Sequence, residues 1–373
     1  SLKVRGSYTE VGNSYGRFMT TVTYPYDEQT QSWTSTSSYP NTKLKPERTK
    51  SWEVGLDARI LNDISLNLTY YRSNTYNQTF YADLSLSSGY SNIPIQSGNI
   101  MNEGLEMSLG YNKQWKDFSF NTNYTLTWNK NRVKRLADGV YNYATGQPIQ
   151  MPELSPLTYG HTDARLILRV GGSMGDVYGQ RLLKRDLNGY ILNEEGVGLA
   201  MENKETYLGS ILPKMNMGWS LGFGYKGVNL GMTFTGRFGG IVISETQSVL
   251  DAAGVSKVSA DVRDAGGVQI NQSKVSAQTY YQTIQGTAAY YTYSATNVRL
   301  GELSLSYTLP KKWFDNKVGM TVGLVGKNLW MIYCKAPFDP ELTTSAASNF
   351  YQGFDAYMLP STRNFGFNVK FQF

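Results

Sequence analysis

Three short patterns carry residue types that could do chemistry. Gly171-Gly172-Ser173-Met174-Gly175 has the G-x-S-x-G spacing of a hydrolase nucleophile elbow. That elbow needs a strand-to-helix turn, with the acid and then the histidine following the serine. The only histidine, His161, precedes Ser173, so the order fails and a loop strand is expected. Gly222-Phe223-Gly224-Tyr225-Lys226-Gly227 has the G-x-G-x-x-G spacing of a dinucleotide cradle. A helix must open after it to meet a pyrophosphate, yet Val228-Asn229-Leu230-Gly231-Met232 reads as a strand, and glycines on a wet face account for it better. Asp186-Leu187-Asn188-Gly189 with Glu195 partly fits a calcium loop, Asp186, Asn188 and Glu195 falling on ligand positions. Lys184 occupies the first ligand position, so a plain Asn-Gly turn is the expectation and an incidental metal site the weaker alternative.

Single residues offer less. His161 alone supports neither a triad nor a metal centre. One cysteine, Cys334, excludes an intrachain disulfide and a multi-cysteine metal site. No cofactor is implied. Aromatics in polar stretches are the remaining candidates, because sugars stack on ring faces: Trp33, Tyr141, Tyr143, Phe350, Tyr351, Phe354 and Tyr357. The same residue types also form membrane girdles and loop cores.

The elements that must position these residues follow one period. Phe365, Phe367, Val369, Phe371 and Phe373 alternate with Asn364, Gly366, Asn368, Lys370 and Gln372. Successive side chains of a strand face opposite ways, so the segment has an oily face and a polar face over the length of a transmembrane strand, about 9–11 residues. Hairpins repeat the pattern: Trp52 to Ile60 with Ile64 to Tyr70, Leu105 to Tyr111 with Phe118 to Trp128, Met217 to Tyr225 with Val228 to Phe234, and Leu303 to Leu309 with Val318 to Leu324. Between Leu300 and Leu303 the phase slips by one, which predicts a bulge at Gly301-Glu302. A short strand over Arg17 to Tyr24 is also expected, after a first strand that reaches a loop at Gly12-Asn13-Ser14.

Composition agrees. Apolar residues make up 40% of 373, charged ones 17% and aromatics 13%, with 28 tyrosines. No apolar run is long enough for a transmembrane helix, whereas a membrane barrel dilutes its apolar residues with lumen residues. The formal charge of +6 is scattered in doublets such as Lys184-Arg185 and Lys311-Lys312, so no nucleic-acid surface is expected. Connections at 61–63, 113–117, 226–227 and 310–317 are short. Those at about 10–49, 73–100, 130–214, 239–295 and 329–363 are long. Short turns at one end and long loops at the other predict an all-β, transmembrane antiparallel barrel wall of about ten strands. The long loops, including Ala164 to Leu182, would lie outside the cell and Phe373 in the periplasm. Ser1 is already in strand register, so the chain reads as cut from something longer. An open edge in hydrocarbon would cost several kcal/mol per unpaired backbone group, so further strands are expected from upstream sequence or another chain.

Several stretches resemble the C-terminal part of the SusC/RagA-type TonB-dependent transporters of Bacteroidetes outer membranes. They are Leu44-Lys45-Pro46-Glu47 with Ser51-Trp52-Glu53-Val54-Gly55-Leu56-Asp57, Asn99 to Glu106, Val298 to Pro310, Gly326-Lys327-Asn328-Leu329 with Phe338-Asp339-Pro340-Glu341, and Leu359 to Arg363. The resemblance implies that residues 1–373 form the C-terminal portion of a 22-stranded barrel around an N-terminal plug. It further implies TonB-driven import of oligosaccharides or oligopeptides under a SusD-like lipoprotein lid, in contact with outer-membrane lipid. A dimer of transporter–lipoprotein pairs is compatible with it. TonB would act through the part upstream. The strand Phe365 to Phe373 resembles the assembly signal that ends such barrels. A passive porin or a surface adhesin barrel is the alternative, and an enzyme is not expected.

Overall fold

The computed structural model describes residues 1–34, 36–96, 98–136, 153–187, 189–190, 199–270, 273–315, 317–342, 344–345 and 349–373. Ten strands make one continuous antiparallel wall in which each pairs with its neighbours in sequence. They are β1 (Leu2–Asn13), β2 (Glu47–Ile60), β3 (Ile64–Tyr76), β4 (Asn99–Trp115), β5 (Phe118–Arg135), β6 (Met215–Tyr225), β7 (Val228–Phe238), β8 (Asn297–Leu309), β9 (Gly319–Cys334) and β10 (Asn364–Gln372). The sheet order runs β1 to β10 without crossover, and β1 and β10 are its two edges. Among the described residues the wall is therefore an open sheet.

Register carries the period-2 pattern across the sheet. Phe120, Phe223, Leu230, Leu305, Leu324 and Phe367 are successive cross-strand partners. One residue along, Ser119, Gly224, Asn229, Ser306, Gly323 and Asn368 form the neighbouring row on the opposite face. A one-residue slip would exchange the two faces. The oily row is open to the surroundings: Leu305, Leu324 and Phe367 are among the exposed large hydrophobics. From Phe118 to Trp128 the apolar alternation on β5 covers about 33 Å of strand at the usual rise. Tilted as barrel strands are, that matches an apolar band of about 25 Å. Aromatics mark its limits, with Trp115 stacked on Phe118 at 5.7 Å and Trp52 against Tyr70 at 5.4 Å.

The short turns are tight because of their chemistry. Lys226 and Gly227 both take positive φ, 44° and 89°, the type I′ geometry that matches strand twist. A side chain at Gly227 would also meet the Thr308 carbonyl at 2.8 Å. The expected bulge is present, since the β8 register shifts between Leu300 and Glu302 against both β7 and β9.

Two expectations need correction. Arg17 to Tyr24 is turn and irregular backbone, and β1 runs through Gly12 to Asn13 against β2. The hairpin strands also continue past their apolar alternation: β3 reaches Tyr76 and β5 reaches Arg135. Backbone pairing is indifferent to side-chain polarity, so the ladder outlasts the oily face.

At the other end the long connections fold into a layer of their own. Residues Glu153–Thr158, Arg165–Arg169, Asp176–Leu183 and Met201–Ser210 make a four-stranded sheet. Helices α1 (Glu245–Ala252), α2 (Lys257–Asp264) and α3 (Ala277–Ile284) follow β7. Each starts at a serine, Ser244, Ser256 or Ser276, whose side chain accepts a backbone N–H of the first turn. None of the helices is long and apolar enough to cross a membrane. The four hydrophobic clusters lie in this layer and touch the wall only at strand tips such as Ile100, Val133 and Cys334. Ile100 and Val133 share the polar face's register, so the layer joins the wall from that side. Phe118, Phe120, Trp219, Phe365 and Phe367 belong to none of the clusters.

Candidate functional site

The polar face of the wall is a field of donors and acceptors. Arg5 forms an ion pair with Asp57 at 3.5 Å and also donates to Thr69. Asn67 donates to Asp57. Higher up, Tyr71 donates to Asn129 Oδ1 at 3.0 Å and Asn131 donates to Asn102 Oδ1 at 2.9 Å. Glu302 faces Lys327 at 3.7 Å. Such a face suits passage of a hydrated, hydrogen-bonding solute, and none of these groups forms a nucleophile–base pair.

The loop layer above it is cross-tied by buried polar groups. Arg299, at the upper end of β8, forks onto Asp339 at 2.9 and 2.8 Å and also meets Glu341 at 3.2 Å. Burial pushes the Asp339 carboxyl up. Hydrogen bonds from Arg299 and the Glu341 amide outweigh it and hold the carboxyl below its ordinary range. Ser244 donates to Asp355 at 2.6 Å, between the connection after β7 and the one after β9. Those connections also share a parallel bridge, Ile243 beside Phe354. Tyr159 donates to the Phe350 carbonyl at 2.7 Å, and burial raises its hydroxyl pKa.

The aromatic candidates separate by burial. Phe354 is 3% exposed and packs with Tyr159, while Phe350 and Tyr351 pack against the same cluster. These three are occupied in holding the layer together. Trp33 is 71% exposed on the two-residue strand Ser32–Trp33, its ring 5.2 Å from Tyr26. Tyr357 is 60% exposed, and its hydroxyl donates to Glu245 at 3.2 Å. Tyr141 and Tyr143 lie outside the described residues, as do Asn188 and Glu195 of the calcium-like stretch. Asp186 pairs with Gly189 in a two-residue ladder. Ser173 sits in the turn between two strands of the loop sheet, a turn where a strand was expected; its Oγ accepts from the Gly175 amide at 3.2 Å. Gly222 and Gly224 lie on the polar face, and a Cβ at Gly222 would collide with Asn121. Cys334 is half-buried at the tip of β9.

Where wall and loop layer meet, Asn131, Ser173, Asp176, Tyr207, Ser210 and Lys214 line a cavity of about 540 Å³. Asp176 accepts from the Ser173 amide at 2.8 Å and from Tyr207 at 3.2 Å. Burial raises the carboxyl, while those two bonds work the other way.

This arrangement of meandering wall, one-sided loops and packed loop layer has known relatives. The family profile described as TonB dependent receptor-like, beta-barrel matches residues 1–329. The chain belongs to the TonB-dependent receptor β-barrel family. TonB-dependent receptor P3 of Formosa agariphila is 26% identical over 406 residues, covering 99% of this chain and 39% of that protein. TonB-dependent receptor SusC of Bacteroides thetaiotaomicron is 27% identical over 132 residues, 35% of this chain and 12% of that protein. The RagAB peptide importer in its open-open state superposes with a TM-score of 0.68 at 20% identity, over 99% of this chain and 39% of that one. At that identity the likeness concerns the fold. The chain spans about two fifths of the length of the relatives it matches.

As a TonB-dependent receptor barrel, the wall is an outer-membrane structure, and its oily face is the lipid face. A shallow apolar groove of about 490 Å³ on β8 to β10, lined by Leu305, Leu324 and Phe367, lies on that face. The family is one of transporters, not enzymes. Residue-level reading missed the Arg299–Asp339–Glu341 tie. Its signals were in the sequence, a lone arginine in an otherwise uncharged strand tip and an Asp-Pro-Glu turn, but their pairing was not. It also missed the helices, although Ser244-Glu245-Thr246-Gln247 has the spacing of a capping box.

Proposed function

We propose that residues 1–373 are the C-terminal part of a TonB-energised importer that takes up oligosaccharides or oligopeptides with a SusD-like surface lipoprotein. The observation that carries this is the loop layer, with its own hydrophobic clusters, joined to the wall from the polar side. A packed roof over a polar channel suits capture and gating of a large cargo. Family membership and the likeness to SusC and the RagAB peptide importer support the same reading. The plug and remaining strands would come from upstream sequence or from another chain, and pairing along β1 and β10 would satisfy their edges.

In this reading the long loops face outward from the cell and β10 ends in the periplasm. Trp33 and Tyr357 are the ring faces most open to cargo, and Phe365, Phe367, Val369, Phe371 and Phe373 act as the assembly signal. The test is uptake of labelled oligosaccharide and oligopeptide by cells carrying the full-length protein, with and without TonB and the lipoprotein. TonB-dependent uptake of either cargo is expected. Free ion conduction by the purified protein in a planar bilayer, without TonB dependence, would favour a porin instead.

A further inference from the structure

Above its upper aromatics the lipid face of the wall becomes charged on β2 to β5 and stays uncharged on β7 to β9. On β2 the outward register reads Leu56, Val54, Trp52, then Lys50 and Arg48. Lys50 stands two residues beyond Trp52, about 7 Å farther along the strand. That distance places it beside lipid headgroups if Trp52 marks the edge of the hydrocarbon. At the corresponding upper ends of β7 to β9 the outward positions are Gly236, Val298 and Tyr333, none of them charged. Outward charge also follows Trp128 on β5, at Lys130, Arg132 and Lys134, where Lys130 is paired with Glu103 at 3.7 Å; what sets β2 apart is the concavity that its cations share.

A groove of about 630 Å³ occupies this spot, lined by Lys45, Pro46, Arg48, Lys50, Tyr76 and Asn77. Its three cations are poorly balanced. Glu10 serves both Arg48 at 3.0 Å and Lys50 at 3.8 Å, and among the described residues no carboxylate is paired with the Lys45 ammonium. Arg48 is 61% exposed and Lys50 43%. A guanidinium fork and two ammonium groups around one concavity match the geometry and charge of a phosphate monoester. Tyr76 adds a ring face of the kind sugars use, while the Asn77 amide donates to the Pro46 carbonyl at 3.1 Å and fixes that wall of the groove. The neighbouring hydrocarbon zone makes the occupant amphiphilic.

We propose that this groove binds the phosphate-bearing headgroup of an outer-leaflet glycolipid, anchoring the upper rim of β2 and β3 to the membrane. The proposal rests on the membrane reading given above. Anionic headgroups are held by about one fivefold factor per adjacent cation, so removing three should weaken retention roughly a hundredfold.

The experiment uses the full-length transporter, purified from outer membranes and placed in phosphatidylcholine nanodiscs doped with phosphorylated or dephosphorylated lipid A. Wild type is compared with K45Q/R48Q/K50Q, and bound lipid is counted by native mass spectrometry. Selective retention of the phosphorylated form by wild type, and its loss in the variant with cargo uptake unchanged, is the expected result. Equal retention by the variant, or equal retention of dephosphorylated lipid A by wild type, overturns the lipid site while leaving the transporter reading intact. Loss of the lipoprotein partner from the variant with lipid retention unchanged would make the groove a protein contact and overturns it too. A wild-type protein that fails to insert at all overturns both readings.

Discussion

Asp339 finds its countercharge on Arg299, forty residues upstream. The two side chains are 8% and 11% exposed, so neither can turn to water if the other is lost. Removing one partner of a buried pair costs roughly 3–5 kcal/mol, and Glu341, still 3.2 Å from Arg299, should keep the loss near the lower figure. Asp339→Asn is therefore expected to loosen the connection after β9. Faster hydrogen exchange in residues 335–342, with exchange in β2 to β5 unchanged, would register it. The same tie should respond to acid. Because the folded Asp339 carboxyl lies below its ordinary value, its stabilisation is full above the unfolded value of about 3.9 and disappears as pH falls through the folded one. Loosening of the wild-type segment at neutral pH, or resistance to acid equal to that of Asp339→Asn, would count against this account.

The strand is the scale at which facing is decided. Leu305 and Ser306 are adjacent on β8 and belong to opposite rows, Leu305 beside Leu230 and Leu324, Ser306 beside Asn229 and Gly323. A lysine facing lipid near the membrane midplane costs about 2–4 kcal/mol, whereas a lumen lysine is tolerated. Leu303→Lys, in the row of Thr122, Leu221 and Met232 near the middle of the apolar band, should lower the unfolding free energy of the full-length protein in lipid vesicles by that amount, and Ser306→Lys should change it little. Equal effects of the two substitutions would refute the face assignment. The loop helices are elements of another kind, started by serine caps and held by packing. Ser244 serves both ways, accepting from the Gln247 amide at 2.9 Å and donating to Asp355.

The whole wall has two dissimilar ends. Leu187, fully exposed in the loop layer, and Lys226, in a two-residue turn, lie at opposite ends of it. In a Cys334→Ser background, Leu187→Cys should react with a membrane-impermeant maleimide on intact cells, and Lys226→Cys only after the outer membrane is opened. The reverse pattern would invert the proposed orientation and with it the direction of import.

The sequence by itself determined the wall: ten strands, the short turns between alternate pairs, the oily and polar faces, and the slip at Gly301-Glu302. These follow from a period of two, and from lipid on one side and water on the other, conditions each residue meets through its immediate neighbours. Only the tertiary structure decided the roof. Tyr159 bonds to the Phe350 carbonyl across 191 residues, and Phe354 is buried while Tyr357, three positions on, is open. No local period records such choices, because they depend on which distant connections share one hydrophobic cluster. The aromatic candidates could be named from composition. Which of them are free to meet a ligand was settled by packing.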